Sequence, residues 1–303
     1  MALFGLKYYG ELRSRHQGII WRVEIAQRGY VGDCEEMTFC GSDPIKVTWE
    51  KRGDDFYVPV KASEASVTIL CKDNFHYMGL FTADARYYRM SIFRDGQLYW
   101  RGFLSADLYS EKFTSPPYEV TIKAVDGFNL LSSIGFKDLM GVGVTGMKSL
   151  AVLIQSCLDL LELDLPFCNW IDLYAEKMDE TRDVLSQTYV RLDRLFSVYE
   201  EPTYRDTLEL CLAPFAAQIF QSGGRLHVRR LISLRESHRP AGFFTDFGHL
   251  EHETRSTGNI LQWRETEDGQ RRLACALKNR NLTEDMWNDE IHVIGPILSV
   301  PHR

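Results

Sequence analysis

The sequence of 303 residues lacks the short motifs that mark the common catalytic and metal sites. It contains no C-x-x-C pair, no H-E-x-x-H, no Walker loop and no G-x-S-x-G. These patterns bind zinc, hold phosphates or carry a nucleophilic serine. We therefore expect a protein that is not an enzyme and that holds no cofactor and no metal.

Long apolar stretches are also missing. No run approaches the roughly 18 to 20 residues that a membrane helix needs, and the longest candidate, residues 150–165, is interrupted by Gln155, Asp159 and Glu162. Residues 1–9 have neither the basic start nor the apolar length of a secretory signal. We expect a soluble chain that is made in a cytoplasm and does not contact a membrane.

The cysteine count is odd, with seven scattered over the whole length. Such a pattern argues against a disulfide framework. It is typical of small buried side chains in a reducing compartment.

The overall composition is that of a globular protein, with 45% hydrophobic, 12% aromatic and 25% charged residues. This excludes a disordered, collagenous or coiled-coil chain. The net charge of −7 argues against a globally basic, sequence-specific nucleic-acid binder. The length favours about two domains.

Residues 1–136 have the pattern of antiparallel β structure and hold 23 of the 37 aromatic residues. Apolar and polar side chains alternate over 19–25, 67–71 and 118–124, which is the two-residue period of a strand. Residues 87–104 predict a hairpin whose turn is Asp-Gly at 95–96. Both central residues of a type I′ turn need a positive φ, which is why Asp-Gly is favoured there. Several short strands separated by turns favour a barrel or a sandwich.

Residues 137–202 predict a partly helical, acidic insertion. Apolar residues from Met147 to Leu161 recur at spacings of three and four, one face of a helix, with Thr145 as the expected N-cap and Pro166 as the stop. Residues 159–209 carry 5 basic and 13 acidic groups, a net charge of −8. We expect this segment to face solvent or the lumen of a channel, where it would repel DNA.

Residues 203–303 predict a helix followed by a β-hairpin and an irregular extension. Thr203 and Asp206 stand at capping-box spacing before an apolar stripe, and Pro214 predicts a kink or an early end. A strand, a Gly-Gly turn and a second strand follow over 218–229. Beyond residue 235 there is little regular pattern, although 291–300 favours an extended strand.

Three short patterns resemble functional motifs but are better explained without them. Residues 141–146, Gly-Val-Gly-Val-Thr-Gly, lack the βαβ context of a dinucleotide site and favour a glycine connector. Residues 249–252, His-Leu-Glu-His, space the two histidines by three rather than the four of zinc helices and favour an exposed loop. Paired acids such as those at 54–55 favour a solvated surface.

A basic patch is expected on the second hairpin, where Arg225, Arg229 and Arg230 cluster. On an acidic protein such a patch can face nucleic acid or an acidic surface of a partner subunit, and an ordinary solvated strand face is an equal alternative.

The order of these elements resembles that of a known family. An aromatic β domain that ends in Asp-Gly-Phe-Asn-Leu-Leu at 126–131 is similar to the tail-hub, or tail-tip, proteins of long-tailed bacteriophages. The segments at 8–12 and 21–25 resemble the opening of such proteins in phages and prophages of Bacteroides-type bacteria. Trp-Arg-Gly-Phe-Leu at 100–104 resembles a strand that recurs in them, and the helix and Gly-Gly hairpin after residue 203 resemble a second recurring element.

The resemblance implies an α+β fold: an aromatic-rich, antiparallel, β-barrel-like tube domain at 1–136, then the helical insertion and the helix-plus-hairpin domain. It implies a baseplate-hub-like structural protein that closes the tail tube as a homo-oligomer, with a trimer favoured. The implied partners are the distal tail protein and the tape measure. The implied location is the virion tail, assembled in the bacterial cytoplasm. After residue 235 the sequence shows no second barrel of the kind that the family carries.

Two alternatives stay open at this point. An aromatic β domain also suits a carbohydrate- or receptor-binding module of the same particle, since aromatic rings stack on sugars; a cell-wall hydrolase is the third hypothesis. The predicted interaction surface consists of Trp21, Tyr88, Trp100, Arg225, Arg229 and Arg230.

Overall fold

A computed structural model describes most of the chain up to residue 230 and several strand backbones beyond it. The described residues are 4–14, 18–50, 57–105, 114–136, 146–169, 171, 173–175, 177–179, 183–192 and 202–230, with backbone only at 241–244, 250–254, 259–265, 271–274 and 276–277.

The structure contains nineteen described strands and three described α-helices. The strands are β1 (Phe4–Arg13), β2 (Ile20–Arg28), β3 (Glu35–Glu36), β4 (Ile45–Trp49), β5 (Val60–Lys61), β6 (Ser63–Cys71), β7 (Tyr88–Arg94), β8 (Gln97–Leu104), β9 (Tyr118–Val125), β10 (Met147–Ser149), β11 (Phe167–Asn169), β12 (Tyr189–Arg191), β13 (Ala217–Ser222), β14 (Arg225–Arg230), β15 (Ala241–Phe244), β16 (Leu250–Thr254), β17 (Asn259–Glu265), β18 (Arg271–Ala274) and β19 (Ala276–Leu277). The helices are α1 (Leu150–Asp159), α2 (Val184–Gln187) and α3 (Tyr204–Leu212), and 3-10 helices cover Met78–Leu80, Phe128–Ser133 and Ala213–Phe215.

The chain divides into two compact units. The first comprises Met1–Arg52, Ala62–Gly127 and Gln221–Arg225, and the second comprises Gly53–Lys61, Phe128–Phe220 and Leu226–Arg303.

The first unit is built on an eight-stranded sheet of order β3-β1-β2-β7-β8-β9-β6-β4. Alternation explains these strands: in β6 every second residue is buried, from Ser63 to Cys71, because successive side chains point to opposite faces. The predicted hairpin of β7 and β8 is confirmed, and Asp95 and Gly96 have φ values of 47° and 79°. The strand order is linear, and among the described residues β4 does not pair with β1.

One segment of the first unit connects the two sides of this sheet at one end. At residues 35–37 it pairs with β1, where the Met37 amide donates to the Tyr9 carbonyl at 2.6 Å. At residues 38–40 it pairs with β6, where the Leu70 amide donates to Thr38 and the Cys40 amide donates to Thr68. Beyond this segment β6 continues alongside β4 instead.

The core of the first unit lies on the inner face of the sheet. Val23, Ile25, Val67, Ile69 and Ile92 are completely buried there. At about 25 cal/mol per Å² of apolar surface, each buried aliphatic side chain contributes about 1.5 to 3 kcal/mol to folding.

The second unit packs α1 and α3 together with a six-stranded sheet of order β18-β17-β11-β14-β13-β5. Apolar residues of α1, including Leu150, Leu153 and Ile154, are buried on one face. The helix begins after Ser149, whose hydroxyl accepts from the Val152 amide. The prediction of Thr145 as the N-cap was therefore wrong for this helix, since a second capping residue lies one turn later; Thr145 itself lies outside the described residues.

The predicted start of α3 is confirmed. The Thr203 hydroxyl accepts from the Asp206 amide, and the Asp206 carboxylate accepts from the Thr203 amide, which completes the capping box. The early end at Pro214 is also confirmed, because the helix passes at residue 213 into a 3-10 turn that contains the proline. The strand-turn-strand prediction for 218–229 matches β13 and β14.

The predicted α+β class is confirmed at the coarse level of a fold dominated by sheet with few helices. The tube-like barrel and the three-part division of the chain stay predictions. Residues 235–303 hold strands β15 to β19. Sequence periodicity missed them because they are only two to seven residues long. The glycine run at 141–145 and the extended segment at 291–300 lie outside the described residues. Among the described helices, none is long and apolar enough to cross a membrane.

Candidate interaction site

A cleft of about 770 Å³ opens in the first unit between the end of β1 and the beginning of β4. It is lined from both sides by strand residues, with the rings of two aromatic residues between them. The lining residues are Leu12, Arg13, Ser14, Trp21, Gly41, Ser42, Asp43, Pro44, Ile45, Val47 and Tyr99.

Trp21 lies in this cleft in a fixed orientation. Its ring meets that of Tyr99 edge to face, with centroids 5.2 Å apart and an interplanar angle of 87°. The Arg94 guanidinium lies over the indole at 5.8 Å from its centroid. Edge-to-face and cation–π contacts both hold an aromatic ring in place, so the cleft has a preorganised apolar floor.

The outer face of β1 and β2 carries a compact charge cluster. Arg22 bonds the carboxylates of Glu24 at 2.7 Å and Glu11 at 3.1 Å, and its guanidinium lies 5.1 Å from the centre of the Tyr9 ring. The hydrogen bonds to the two carboxylates raise the pKa of Arg22 although burial opposes them. The Arg22 guanidinium is therefore bonded to side chains of its own sheet.

A second polar cluster lies near β3. His76 Nε2 lies 2.6 Å from a Glu35 oxygen, and the ring of Tyr8 packs edge-on against His76 and Tyr77. Burial raises the pKa of Tyr8 and of Tyr77 to about 12, and the Glu35 carboxylate adds to it. Phenols with such pKa values stay protonated at neutral pH and do not act as bases.

Lys7 lies beside these rings. Its ammonium is 5.3 to 5.6 Å from the ring centres of Tyr8, Tyr30 and Tyr88, and it donates to Gln27 Oε1 at 2.8 Å. The ammonium is enclosed by the chain's own side chains, so the cluster is a structural contact of this sheet.

The residues predicted from sequence as an interaction surface fall into different environments. Trp21 lines the cleft, whereas Tyr88 and Trp100 lie inside the core with 3% and 0% of their surface exposed. Trp100 donates its indole N–H to the Ser63 hydroxyl at 2.9 Å. Tyr88 donates its hydroxyl to the Gly79 carbonyl at 2.9 Å. These two rings are therefore part of the packing of the first unit.

The three arginines of the predicted basic patch also differ. Arg225 is exposed at the start of β14, whereas Arg229 and Arg230 are partly buried. Burial lowers the pKa of both Arg229 and Arg230, although a guanidinium stays charged at any physiological pH.

Sequence reasoning missed most of the cleft. Leu12, Ile45, Val47 and Tyr99 line it, and none carries a motif. They come together because β1 and β4 lie on opposite sides of the strand order and approach each other only in space. Such an approach is invisible in a single sequence.

The described part of the chain shows no group of three or more side chains suited to hold a metal ion. None of the six cysteines in this part forms a disulfide, and burial raises the pKa of Cys157 and Cys211 above the ordinary thiol value. A buried protonated thiol is a poor nucleophile.

No protein-family model and no curated protein sequence matches the chain. Among solved structures it is similar to the tail protein from Neisseria meningitidis MC58, at 11% identity and a TM-score of 0.37, over 69% of this chain and 50% of that one. It is also similar to the 43 kDa tail protein of prophage MuSo2 from Shewanella oneidensis, at 9% identity and a TM-score of 0.33, over 62% and 53%. The chain spans about half the length of these two solved proteins, and both are tail proteins.

Proposed function

We propose that this protein is a structural subunit of the tail tip of a bacteriophage or prophage. In this role it is hub-like: it helps to close the tail tube, assembles with copies of itself and contacts the distal tail protein and the tape measure. It works by packing and not by catalysis.

The observation that carries the proposal is the architecture of the first unit. An aromatic-rich antiparallel sheet curves until one short segment, residues 35–40, bonds to β1 on one side and to β6 on the other. A curved sheet of this kind forms one segment of a tube wall. Its edge strands need neighbouring subunits, because exposed edge strands tend to pair with other chains.

The segments on which the family resemblance rests have structural roles in this architecture. Strand β8 contains the segment at 100–104, in which Trp100 and Phe103 are buried and Gly102 lies where a side chain would collide with the Val125 carbonyl. The Asp-Gly turn at 126–127 ends the sheet and leads into the 3-10 helix Phe128–Ser133. The fold therefore requires these segments, and the proposed role depends on that fold.

The experiment that tests the proposal is deletion of the gene from a cell that produces tailed particles. The expected result is loss of complete tails, with filled heads still formed, and rescue by the wild-type gene supplied in trans. A matched control is rescue by the variant Gly79→Ala, a position where nothing lies within 4 Å of the added carbon. Normal numbers of complete, infectious particles without the gene would contradict the proposal.

A further inference from the structure

The cleft between β1 and β4 has the geometry of a missing strand. Seven strands, β1-β2-β7-β8-β9-β6-β4, follow one another in the sheet, and every adjacent pair among them is antiparallel. Six reversals of direction leave β1 and β4 parallel to each other. One added strand that runs antiparallel to both would continue the alternation from β4 back to β1.

The backbone of β4 offers the hydrogen-bonding groups for such a strand. The Pro44 carbonyl accepts from the Thr68 amide, and the Glu50 amide donates to the Ala62 carbonyl. The backbone N–H and C=O groups of the even-numbered residues of this stretch therefore point towards β6. In an antiparallel pair, hydrogen-bonded and outward-facing residues alternate. The N–H and C=O groups of Ile45, Val47 and Trp49 therefore point away from β6.

The backbone of β1 offers the matching row. The Tyr9 carbonyl accepts from Met37 on the side opposite β2, whereas the Ser14 amide donates to Ile19 on the β2 side. By the same alternation Glu11 and Arg13 direct their N–H and C=O groups away from β2. Among the described strands none pairs with these residues on the cleft side, so both walls of the cleft present edge-strand backbone.

The side chains specify the chemistry of the occupant. The inner side of the cleft is apolar, with Leu12, Ile45, Val47 and the Trp21–Tyr99 pair. On the outer side Lys46 is exposed on β4 and Arg13 is exposed on β1, whereas the Glu11 carboxylate is already bonded by Arg22. Opposite charges across a strand pair stabilise it, so an acidic residue suits the outer face.

We propose that this cleft accepts an extended segment of a neighbouring polypeptide as an additional antiparallel strand. Its apolar residues alternate with polar ones, the apolar side chains face Trp21, and an acidic side chain lies opposite Lys46. Main-chain bonds supply the affinity and the alternate side chains supply the specificity, as in other cases of strand addition. The inference rests on the proposed function only for the source of the segment, a neighbouring tail subunit.

Arg94 leaves at most one face of Trp21 open to a sugar. A glycan stacks on an open aromatic face, and the Arg94 guanidinium already lies over one face of the indole. A short oligosaccharide is therefore the competing occupant in the test.

The test uses the full chain and the synthetic peptide acetyl-VTVEVT-amide, written to place glutamate opposite Lys46 in antiparallel register. Calorimetry is expected to show saturable binding at one site per chain. The peptide VTVKVT is expected to bind about two- to fivefold more weakly. The peptide VTPEVT, which lacks the N–H that bonds to Val47, is expected not to bind.

Two protein variants test whether the peptide binds along β4. Val47→Pro removes an outward N–H without removing a bond to β6, so it abolishes peptide binding while thermal unfolding stays cooperative. Lys46→Glu reverses the preference, so that VTVKVT binds more tightly than VTVEVT. Failure of VTVEVT to bind the folded wild-type chain, an unchanged preference in Lys46→Glu, or binding of a short oligosaccharide in place of the peptide would each overturn the proposal.

The outcomes also distinguish the two proposals. If the chain binds the peptide but its deletion leaves particles intact, the strand-binding proposal stands and the proposed tail function is contradicted. If the chain is incorporated into tails but does not bind the peptide, the proposed tail function stands and the strand-binding proposal is contradicted.

Discussion

The Asp126 carboxylate and Ser63 form two hydrogen bonds through a single oxygen: Asp126 Oδ2 accepts from both the amide and the hydroxyl of Ser63, each at 2.6 Å. The hydroxyl in turn accepts the indole N–H of Trp100 at 2.9 Å. All three residues are buried. These hydrogen bonds hold the residue after β9 against the start of β6, beside Trp100, the largest fully buried side chain of the first unit.

Asp126→Ala is expected to destabilise the protein by about 3 kcal/mol, because it leaves a buried N–H and hydroxyl without their charged acceptor. Urea unfolding followed by tryptophan fluorescence measures the loss. The control is Asp43→Ala, an exposed carboxylate at which the change is expected to stay within about 0.5 kcal/mol. Equal losses in the two variants would refute this account of the network.

Gly102→Ala is expected to cost about 1 to 3 kcal/mol, because the added carbon would collide with the Val125 carbonyl and the Trp100 ring. Gly79→Ala is the matched control, since nothing lies within 4 Å of its added carbon. Thermal unfolding of both variants makes the comparison. A Gly102 variant as stable as the control would show that β8 yields without strain at this point.

Thr203→Ala is expected to destabilise the second unit by about 1 kcal/mol, because the side-chain half of the capping box of α3 is lost. Thr203→Ser keeps the hydroxyl and is expected to retain most of the stability. Hydrogen exchange of the first amides of α3 reports the effect directly. If alanine and serine protect these amides equally, the cap does not stabilise the helix.

Asp183 is expected to make the stability of the protein depend on pH. Burial raises the pKa of this carboxyl from 3.8 to about 6, although bonds from Asn169 and Ser186 oppose the shift. The folded state therefore binds the proton more tightly than the unfolded state. The stability from this group is full below pH 3.8 and is lost as the pH rises through about 6.

The measurement is the unfolding free energy of the wild type relative to Asp183→Asn at pH 4 and pH 7. The wild type is expected to lose about 2 kcal/mol against the variant over this interval. The variant serves as the reference because its amide does not titrate and keeps an oxygen acceptor. A difference that is independent of pH would show that Asp183 is charged in the folded state as readily as in water.

Local patterns predicted the local elements well. The period of two in β6 and β7, the Asp-Gly turn at 95–96 and the cap at Thr203 each depend on neighbouring residues only. The same alternation that places Trp100 on a strand also places it on the inner face with Gly102 and Leu104. Its assignment to a surface followed from residue type and not from this pattern.

The cleft could not be predicted in this way. It depends on β4 lying at one end of the strand order and β1 lying next to the other end, an order that the sequence does not display. Tyr99 is the extra residue of β8 where the register shifts between Ile92 and Phe93 of the β7–β8 pair, and such a bulge changes the direction of a side chain. Long-range pairing therefore determined the candidate site, whereas short-range periodicity determined its strands.

The central claim is that this chain is a component of the tail tip, and its position in the particle tests that claim most directly. The measurement is gold labelling of an epitope-tagged copy, expressed in a cell that produces tailed particles, followed by electron microscopy of the purified particles. The account predicts gold at the end of the tail distant from the head, in a small and constant number. Particles that carry no gold, while the tagged protein remains unassembled in the cell, would contradict it.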